Sequence, residues 1–586
     1  MTTQSALEGP GYASGHHAEK SRRSAVHVGG VAALTALIAA IYAGYSLVLY
    51  ATYRESSYDL VYFDQVVRSF AHFHLGISIL EGTLNGYGSH FSVLGNHFSP
   101  ILAALAPLYW IYNGPQTLLV AQAVLFALAI PPLWIFTRRA FGGGTKATTA
   151  AYLICVAYGL SWPIAAAAAF TFHEVAFAPV LTAIALERLQ AGRLRTALIA
   201  LAGLLLVKED MGLLVAGLGV YLAISVVPTL RRQRLVGLAF VAGGLAYTAF
   251  ATYVLIPAFG GLAGHYWAYS DLGNNVPQVV AHIIRHPLGT LRLLVRPQVK
   301  LQTIKWLLAV FCFLPLLSPL VVAALPLIAE RMLNSKYPNW WGVHFQYNAF
   351  IVVILVFAAV DGAARLDRWA SWAWDRVMAD PKPSADAAPA AEAAGLVDTG
   401  PVGTRPVDLG PVDAVPVDTV PVEKGPVEKG PVEKGPVEKG PVEKGRGVRS
   451  GVVAVGCCVA IVAATLFTLP RFALGEALHA NFYVPTPAGQ AAAAADAVVP
   501  TGVPVQAATD VAAELSSRDT VLGWGWQQPA LGSAWVVADV QRHLMTFTSV
   551  LAQRERVALL IHNGYKIVFE RDGFVVLHRT SSPASV

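Results

Sequence analysis

Charge is scarce in this chain. Only 13% of its 586 residues are charged, against 55% hydrophobic, and a soluble protein of that length carries roughly twice the charged share. Cysteine is also rare. Cys155, Cys312, Cys457 and Cys458 all lie in apolar stretches and form no Cys-x-x-Cys pair, so neither a disulfide framework nor a zinc site is indicated. The net charge of +6 says little, because the basic residues mostly mark the ends of apolar runs, and no nucleic-acid partner is expected. What the chain has is hydrophobic length: apolar runs of about 20 residues recur along its first two-thirds, enough to cross a hydrocarbon core. A basic segment with Lys20, Arg22 and Arg23 resembles the start of a signal peptide. The run Val26–Tyr50 behind it is too long for one and has no clean small-residue cleavage site, so a retained first span is expected.

Lysine and arginine between spans set the orientation. Lys20, Arg22 and Arg23 place the N-terminus in the cytoplasm. Three further cytoplasmic turns are marked by Arg138 and Arg139, by Arg188, Arg193 and Arg195, and by Arg231, Arg232 and Arg234. Spans near 116–137, 146–163, 173–190, 194–208, 210–228 and 235–257 join them in alternation. Others are expected near 304–318, 319–333, 346–361 and 451–469, about eleven in all, with the C-terminus outside. Ile101–Tyr112 is taken as re-entrant or interfacial, since a span there would move Arg138 and Arg139 outside. The loop Phe259–Lys305 strains the scheme. It falls outside yet carries Arg285, Arg292, Arg296, Lys300 and Lys305 against one acid, Asp271.

The expected domains are a cytoplasmic tail 1–25, a membrane domain 26–370 with a large first outer loop 51–115, a linker 371–450, a last span 451–469 and an extracytoplasmic domain 470–586. The linker repeats Pro-Val-Glu-Lys-Gly from Pro421, Pro426, Pro431, Pro436 and Pro441. A proline every five residues forbids a helix and there is little to bury, so a length-tolerant spacer is expected. Past Arg471 the pattern is that of a small α/β domain. It predicts strands over Val503–Ala507, Thr520–Trp524, Trp535–Asp539, Lys566–Glu570 and Phe574–His578, and a helix Asp510–Ser517 capped by Asp510. Arg571-Asp572-Gly573 is a hairpin signal. The fold class expected is an all-α polytopic membrane protein with this α/β domain outside.

Ionisable residues beside membrane spans are expensive and are functional candidates by default. On this topology a set of them falls on the outer face: Tyr58-Asp59, Asp64-Gln65, His97, His173-Glu174, Lys208-Glu209-Asp210, and His344 with Tyr347. Each has a bland counterpart as a solvated turn residue or an interfacial histidine. Asp59 and Asp64 are five apart, about 140° around a helix, which counts against a shared metal clamp. Sugar transfer from a lipid phosphate needs a carboxylate to accept the acceptor's proton and cations or a metal for the departing phosphate. Asp59 or Asp64 would be that base. Arg285, Arg292 and Arg296 would meet the phosphate, the latter two four apart on a short helix between Pro287 and Pro297; the bland counterpart is a basic amphipathic helix resting on lipid headgroups.

The series Tyr58-Asp59-x4-Asp64-Gln65, Gly95-Asn96-His97-Phe98-Ser99-Pro100, Phe172-His173-Glu174, Lys208-Glu209-Asp210 and His344-x2-Tyr347 resembles a family of bacterial predicted membrane proteins, domain of unknown function 2079. The resemblance covers roughly Val26–Val360 and the C-terminal domain, and it names no reaction. The layout is similar to the GT-C membrane glycosyltransferases. That similarity implies a polyprenyl-phosphate-linked sugar donor, an acceptor not specified by the sequence, and an essential aspartate in the first outer loop. Asp59 or Asp64 would take that place, with Glu209 and Asp210 completing the catalytic set. Gln65, His97, His173, Glu174, Lys208, Arg292, Arg296, His344 and Tyr347 would line the substrate. The chain departs from that pattern in lacking an outer Asp-x-Asp motif, which leaves a divalent metal an open question. The alternatives are a transporter or flippase for a lipid-linked or polar solute, and a non-catalytic cell-envelope scaffold. Charges at span ends, with no repeat of the membrane part, favour the enzyme over a transporter.

Overall fold

The computed structural model describes residues 11–55, 57–225, 232–378, 451–525 and 533–580. Arg231 and the repeats within 379–450 lie outside these, as do the side chains of Lys20, Arg22 and Arg23. By internal contacts the chain forms two units, residues 1–370 with 451–586, and residues 371–450. Of the second, only the helical residues up to Met378 are described.

Six helical runs are long and apolar enough to cross a membrane: Ala25–Ala51, Gln116–Ala140, Gly144–Phe170, Gln233–Ala258, Gln346–Arg376 and Val452–Arg471. At 1.5 Å per residue each reaches about 30 Å or more, the thickness of the hydrocarbon core. The first belongs to helix α1, Gly11–Ala51. Leu194–Leu205 and Met211–Ile224 are also apolar but shorter, about 18 and 21 Å long.

The region expected as spans 304–318 and 319–333 is built differently. It consists of a helix Gln298–Ala309, two 3-10 turns at Leu314–Leu317 and Pro319–Ala324, and a helix Leu325–Leu333. Pro315, Pro319 and Pro326 each withdraw a backbone donor, and Cys312 and Phe313 take positive φ, so no long helix forms. Ile101–Tyr112 is likewise short: a 3-10 turn Pro100–Leu105 runs into a helix Ala106–Tyr109.

Close helix packing relies on missing side chains. A Cβ at Gly212 would lie 2.3 Å from the Gly244 carbonyl oxygen. Small residues of this kind let membrane helices approach backbone to backbone.

The C-terminal domain holds one five-stranded sheet in the order β2-β1-β3-β5-β4. Its strands are β1 (Pro504–Ala507), β2 (Thr520–Gly523), β3 (Trp535–Asp539), β4 (Lys566–Arg571) and β5 (Phe574–His578). The first three are parallel, and β5 and β4 join antiparallel. At the β4–β5 turn, Asp572 and Gly573 both have positive φ, which suits the right-handed twist of the strands they join. One expectation fails here. The helix Thr509–Ser516 is preceded by Ala508, and Asp510 does not cap it. Its carboxylate pairs instead with Arg542. Two helices were not anticipated, Pro487–Val498, whose Thr486 hydroxyl accepts from the Gly489 N–H, and Val550–His562.

Between the membrane helices and this sheet lies helix α2, Asp59–Ala71, followed by the short helix α3, Ile79–Leu84. Val505, Val521 and Val576 of the sheet share one hydrophobic core with Leu60, Val61 and Val67 of α2. The C-terminal domain therefore packs on α2 as part of the same folded unit.

Candidate active site

Helix α2 presents its two aspartates to different surroundings. Asp64 is fully buried; Arg68 Nη2 lies 2.8 Å from its carboxylate and the Tyr109 hydroxyl donates to it at 2.8 Å. Burial pushes Asp64 up to about 6 despite Arg68 and Tyr109. Asp59, at the first position of the helix, accepts from the Ser57 hydroxyl at 2.6 Å and faces His173 Nε2 at 3.5 Å. Its side chain keeps 41% of its surface open, although burial is the largest single influence on its acidity. Asp59 is thus a partly open carboxylate. Burial pushes it up, but the hydrogen bond and charge of His173, with Ser57, outweigh burial and hold Asp59 below its ordinary value.

His173 is positioned by apolar and polar neighbours alike. Its ring stacks on Phe170 at 5.2 Å and meets the edge of Phe63 at 5.5 Å. Its backbone N–H donates to the Gln122 side chain at 3.1 Å. The next residue, Glu174, faces Lys208 at 3.7 Å, and Lys208 faces Asp210 at 3.9 Å. Between those two, Glu209 reaches the opposite way: its carboxylate lies 2.8 Å from His97 Nδ1 and accepts from the Phe98 N–H at 3.1 Å. Burial would raise Glu209, and His97 outweighs it to leave the acid at about 2.

Four separate stretches thus supply seven of the expected residues to one charged chain: Asp59, His173, Glu174, Lys208, Asp210, Glu209 and His97. Tyr347 sits near enough to feel the charges of Lys208, Asp59 and Glu174.

Other expected residues lie elsewhere. The Gln65 amide donates to the Val521 carbonyl at 2.9 Å, and its oxygen accepts from Ser78 and from the Leu80 N–H, each at 3.0 Å. Its capacity is spent joining α2, α3 and β2, so it is a positioning residue. His344 is exposed. Arg292 lies on the helix Pro287–Val295, but Arg296 is extended at φ −120° and ψ 137°, beyond the helix end. The proline that follows disfavours helical backbone at Arg296, so the two arginines do not share a helix face. Both are exposed, and neither forms an ion pair among the described residues.

One contributor went unnoticed in the sequence. Glu81 accepts from Asn96 at 2.6 Å and from Asn85 at 2.7 Å, and burial pushes it up to about 7. Asn96 in turn accepts from the Tyr266 hydroxyl at 2.7 Å, and the Tyr266 ring stacks on His97 at 4.7 Å. Ser78-x-x-Glu81 reads as a helix-capping pattern, which masks the reach of Glu81 toward Asn96. The C-terminal domain contributes as well. The Tyr58 hydroxyl donates to the Ala507 carbonyl at 2.7 Å and accepts from the Trp524 N–H at 3.0 Å, so the ends of β1 and β2 hold the residue next to Asp59. Among the described residues, no three His, Cys, Asp or Glu side chains converge as ligands of one metal ion.

A family model described as a predicted membrane protein (DUF2079) matches residues 50–379. No curated protein matches the chain. Among solved structures, the chain is similar to the crystal structure of ArnT from Cupriavidus metallidurans bound to undecaprenyl phosphate. The identity is 12%, over 95% of this chain and 99% of that one, with a TM-score of 0.46.

Proposed function

We propose that this chain, which belongs to the DUF2079 family of predicted membrane proteins, transfers a sugar from a polyprenyl-phosphate donor to an acceptor hydroxyl, with Asp59 as general base. One observation carries the reading: Asp59 is a partly open carboxylate, held below its ordinary value and aimed by Ser57 and His173, in a chain built largely of membrane-spanning helices. Asp64 is sealed away from any substrate, which favours Asp59 for the loop-aspartate role.

In the proposed reaction Asp59 accepts the proton of the acceptor hydroxyl as its oxygen attacks the anomeric carbon. The bond from that carbon to the phosphate oxygen breaks, and the electron pair leaves with the polyprenyl phosphate. Lys208 is the cation suited to the leaving phosphate. Its contacts of 3.7 and 3.9 Å to Glu174 and Asp210 are longer than a tight charged hydrogen bond, so it can turn to an incoming anion. The Asp59 site and C-terminal domain face the outside and the N-terminus the cytoplasm. Residues 371–450 form the cytoplasmic spacer before the last span.

The test is turnover of radiolabelled polyprenyl-phosphate sugars by the protein in lipid nanodiscs, with Asp59→Asn and Asp64→Asn alongside. Donor consumption abolished by Asp59→Asn in a folded protein is the expected result. A broad donor panel left unconsumed, or an Asp59→Asn variant as fast as the wild type, would sink the reading.

A further inference from the structure

The helix Phe177–Gln190 runs about 21 Å away from the Asp59 site, and a second polar site lies at its far end. Two adjoining cavities open there, of about 490 and 390 Å³. The larger is lined by Trp134, Ile135, Arg138, Arg139, Gly142 and Gly143. The smaller shares Ile135 and Arg139 and adds Arg188 and Arg193. The acid in this wall is Glu187, 1% exposed and already held by Arg139 at 2.8 Å and by Arg188. Arg139 is spent further on the Gln190 side chain at 2.9 Å.

Arg138 is differently placed. It has no carboxylate partner among the described residues, and its guanidinium lies over the Trp134 ring at 4.7 Å. Arg138 Nε and Trp134 Nε1 are both buried donors without an acceptor. Arg193 is exposed and forms no ion pair among the described residues. On the rim, Gly142, Gly143 and Gly144 take φ of 75°, 80° and 78° in succession, which only glycine does without strain, and the backbone there carries no side chains to shield it.

Membrane orientation by itself asks for cations at one end of the spans. It does not ask for a cavity whose unspent polar groups are donors. Such a wall fits an anion, and the approach to it is apolar. Val120, Val124 and Leu128 are exposed at spacings of four along the first half of the run Gln116–Ala140, sharing a helix face, and Ile135 is exposed on its second half, past the turn at 128–129. The stripe ends at the cavity, where Ile135 is part of the lining.

We infer that this cavity binds the phosphate headgroup of an anionic phospholipid, with an acyl chain along the stripe. The site is separate from the Asp59 site and does not depend on the reaction proposed for it. Basic pockets between spanning helices are a recurrent way to hold such headgroups.

The experiment is native mass spectrometry of the full chain in detergent, titrated with phosphatidylglycerol or with phosphatidylcholine, for wild type, Arg138→Gln and Arg193→Gln. Among the described residues neither arginine holds an ion pair, so neither variant strands one of their acids, and a thermal melt checks each fold. The expected result is phosphatidylglycerol binding weakened about tenfold by Arg138→Gln and less by Arg193→Gln, with phosphatidylcholine binding unchanged. Equal phosphatidylglycerol binding by wild type and a folded Arg138→Gln or Arg193→Gln protein overturns the site. Displacement of phosphatidylglycerol by inorganic phosphate at matched concentration overturns the lipid assignment and leaves a site for a free anion.

Discussion

Asp59 and Asp64 stand five residues apart on one helix, and their surroundings give them opposite chemistry. The face of α2 toward the membrane helices meets His173, and its acid stays partly open and is held below its ordinary value. The other side meets Tyr109, Arg68 and the C-terminal domain, and its acid is sealed and pushed up toward neutrality. The difference shows that exposure and partners, not the residue type, set how each acid behaves.

The largest effect expected from breaking this contrast is on Asp59. Asp59→Asn should lower sugar transfer by about 10²- to 10⁴-fold, the usual share of a general base, with little change in melting temperature. Because Asp59 is held low, the acid limb of the wild-type pH–rate profile should fall below the ordinary carboxylate range. A limb near pH 6 would take the base away from Asp59, since Asp64 and Asp210 are both pushed up to about 6.

The next effect tests whether the Asp59 face works as a unit. Glu209→Gln removes the charge facing His97, and a hydrogen bond to a charged group is worth about 1.5–3 kcal/mol. Turnover should drop by at least about tenfold, read as kcat/KM in the nanodisc assay.

A smaller effect should follow from Tyr58→Phe, which removes two hydrogen bonds to the strand ends of the C-terminal domain. About 1–2 kcal/mol of docking is at stake. Limited proteolysis should show the domain released more readily, with kcat lowered through misplacement of Asp59.

On the sealed side the readout is stability, not rate. The folded pKa of Asp64, about 6, lies above its ordinary 3.8, so the folded state binds the proton more tightly than the unfolded chain. The stability it confers is complete below about pH 4 and is lost as pH rises through about 6. Asp64→Asn should flatten that decline in melts taken across the window and leave turnover nearly intact. The smallest effect is expected from Arg292→Gln, since that side chain is exposed and unpaired among the described residues; donor turnover should stay within about twofold of wild type, as for most exposed substitutions.

Much of this was legible in the sequence, for reasons that can be named. Low charge and repeated apolar runs give a multi-span membrane protein, because no other solvent suits such surfaces. Alternating strands and the Asp572-Gly573 turn give the sheet domain, since period and turn chemistry are local. The strand limits at Trp535–Asp539 and Phe574–His578 agree to the residue. The polar series picked out seven of the residues that assemble around Asp59. Expectations failed where local rules met long-range packing. Helical spacing between Arg292 and Arg296 was broken by Pro297, and the cap assigned to Asp510 was lost to a distant arginine. The motif residue Gln65 proved to be a strut between α2, α3 and β2.

The sequence by itself determined the solvent of this protein, the rough places of its elements and the pool of polar residues at one end of its helices. Only the tertiary structure decided which of two nearby aspartates is partly open and held low, that Glu81 and Tyr266 support His97, and that Tyr58 is held by a domain more than 400 residues away in the chain. The reason is physical. Hydropathy and turn preference act over a few residues, whereas a carboxylate's charge state depends on burial and partners brought from remote stretches.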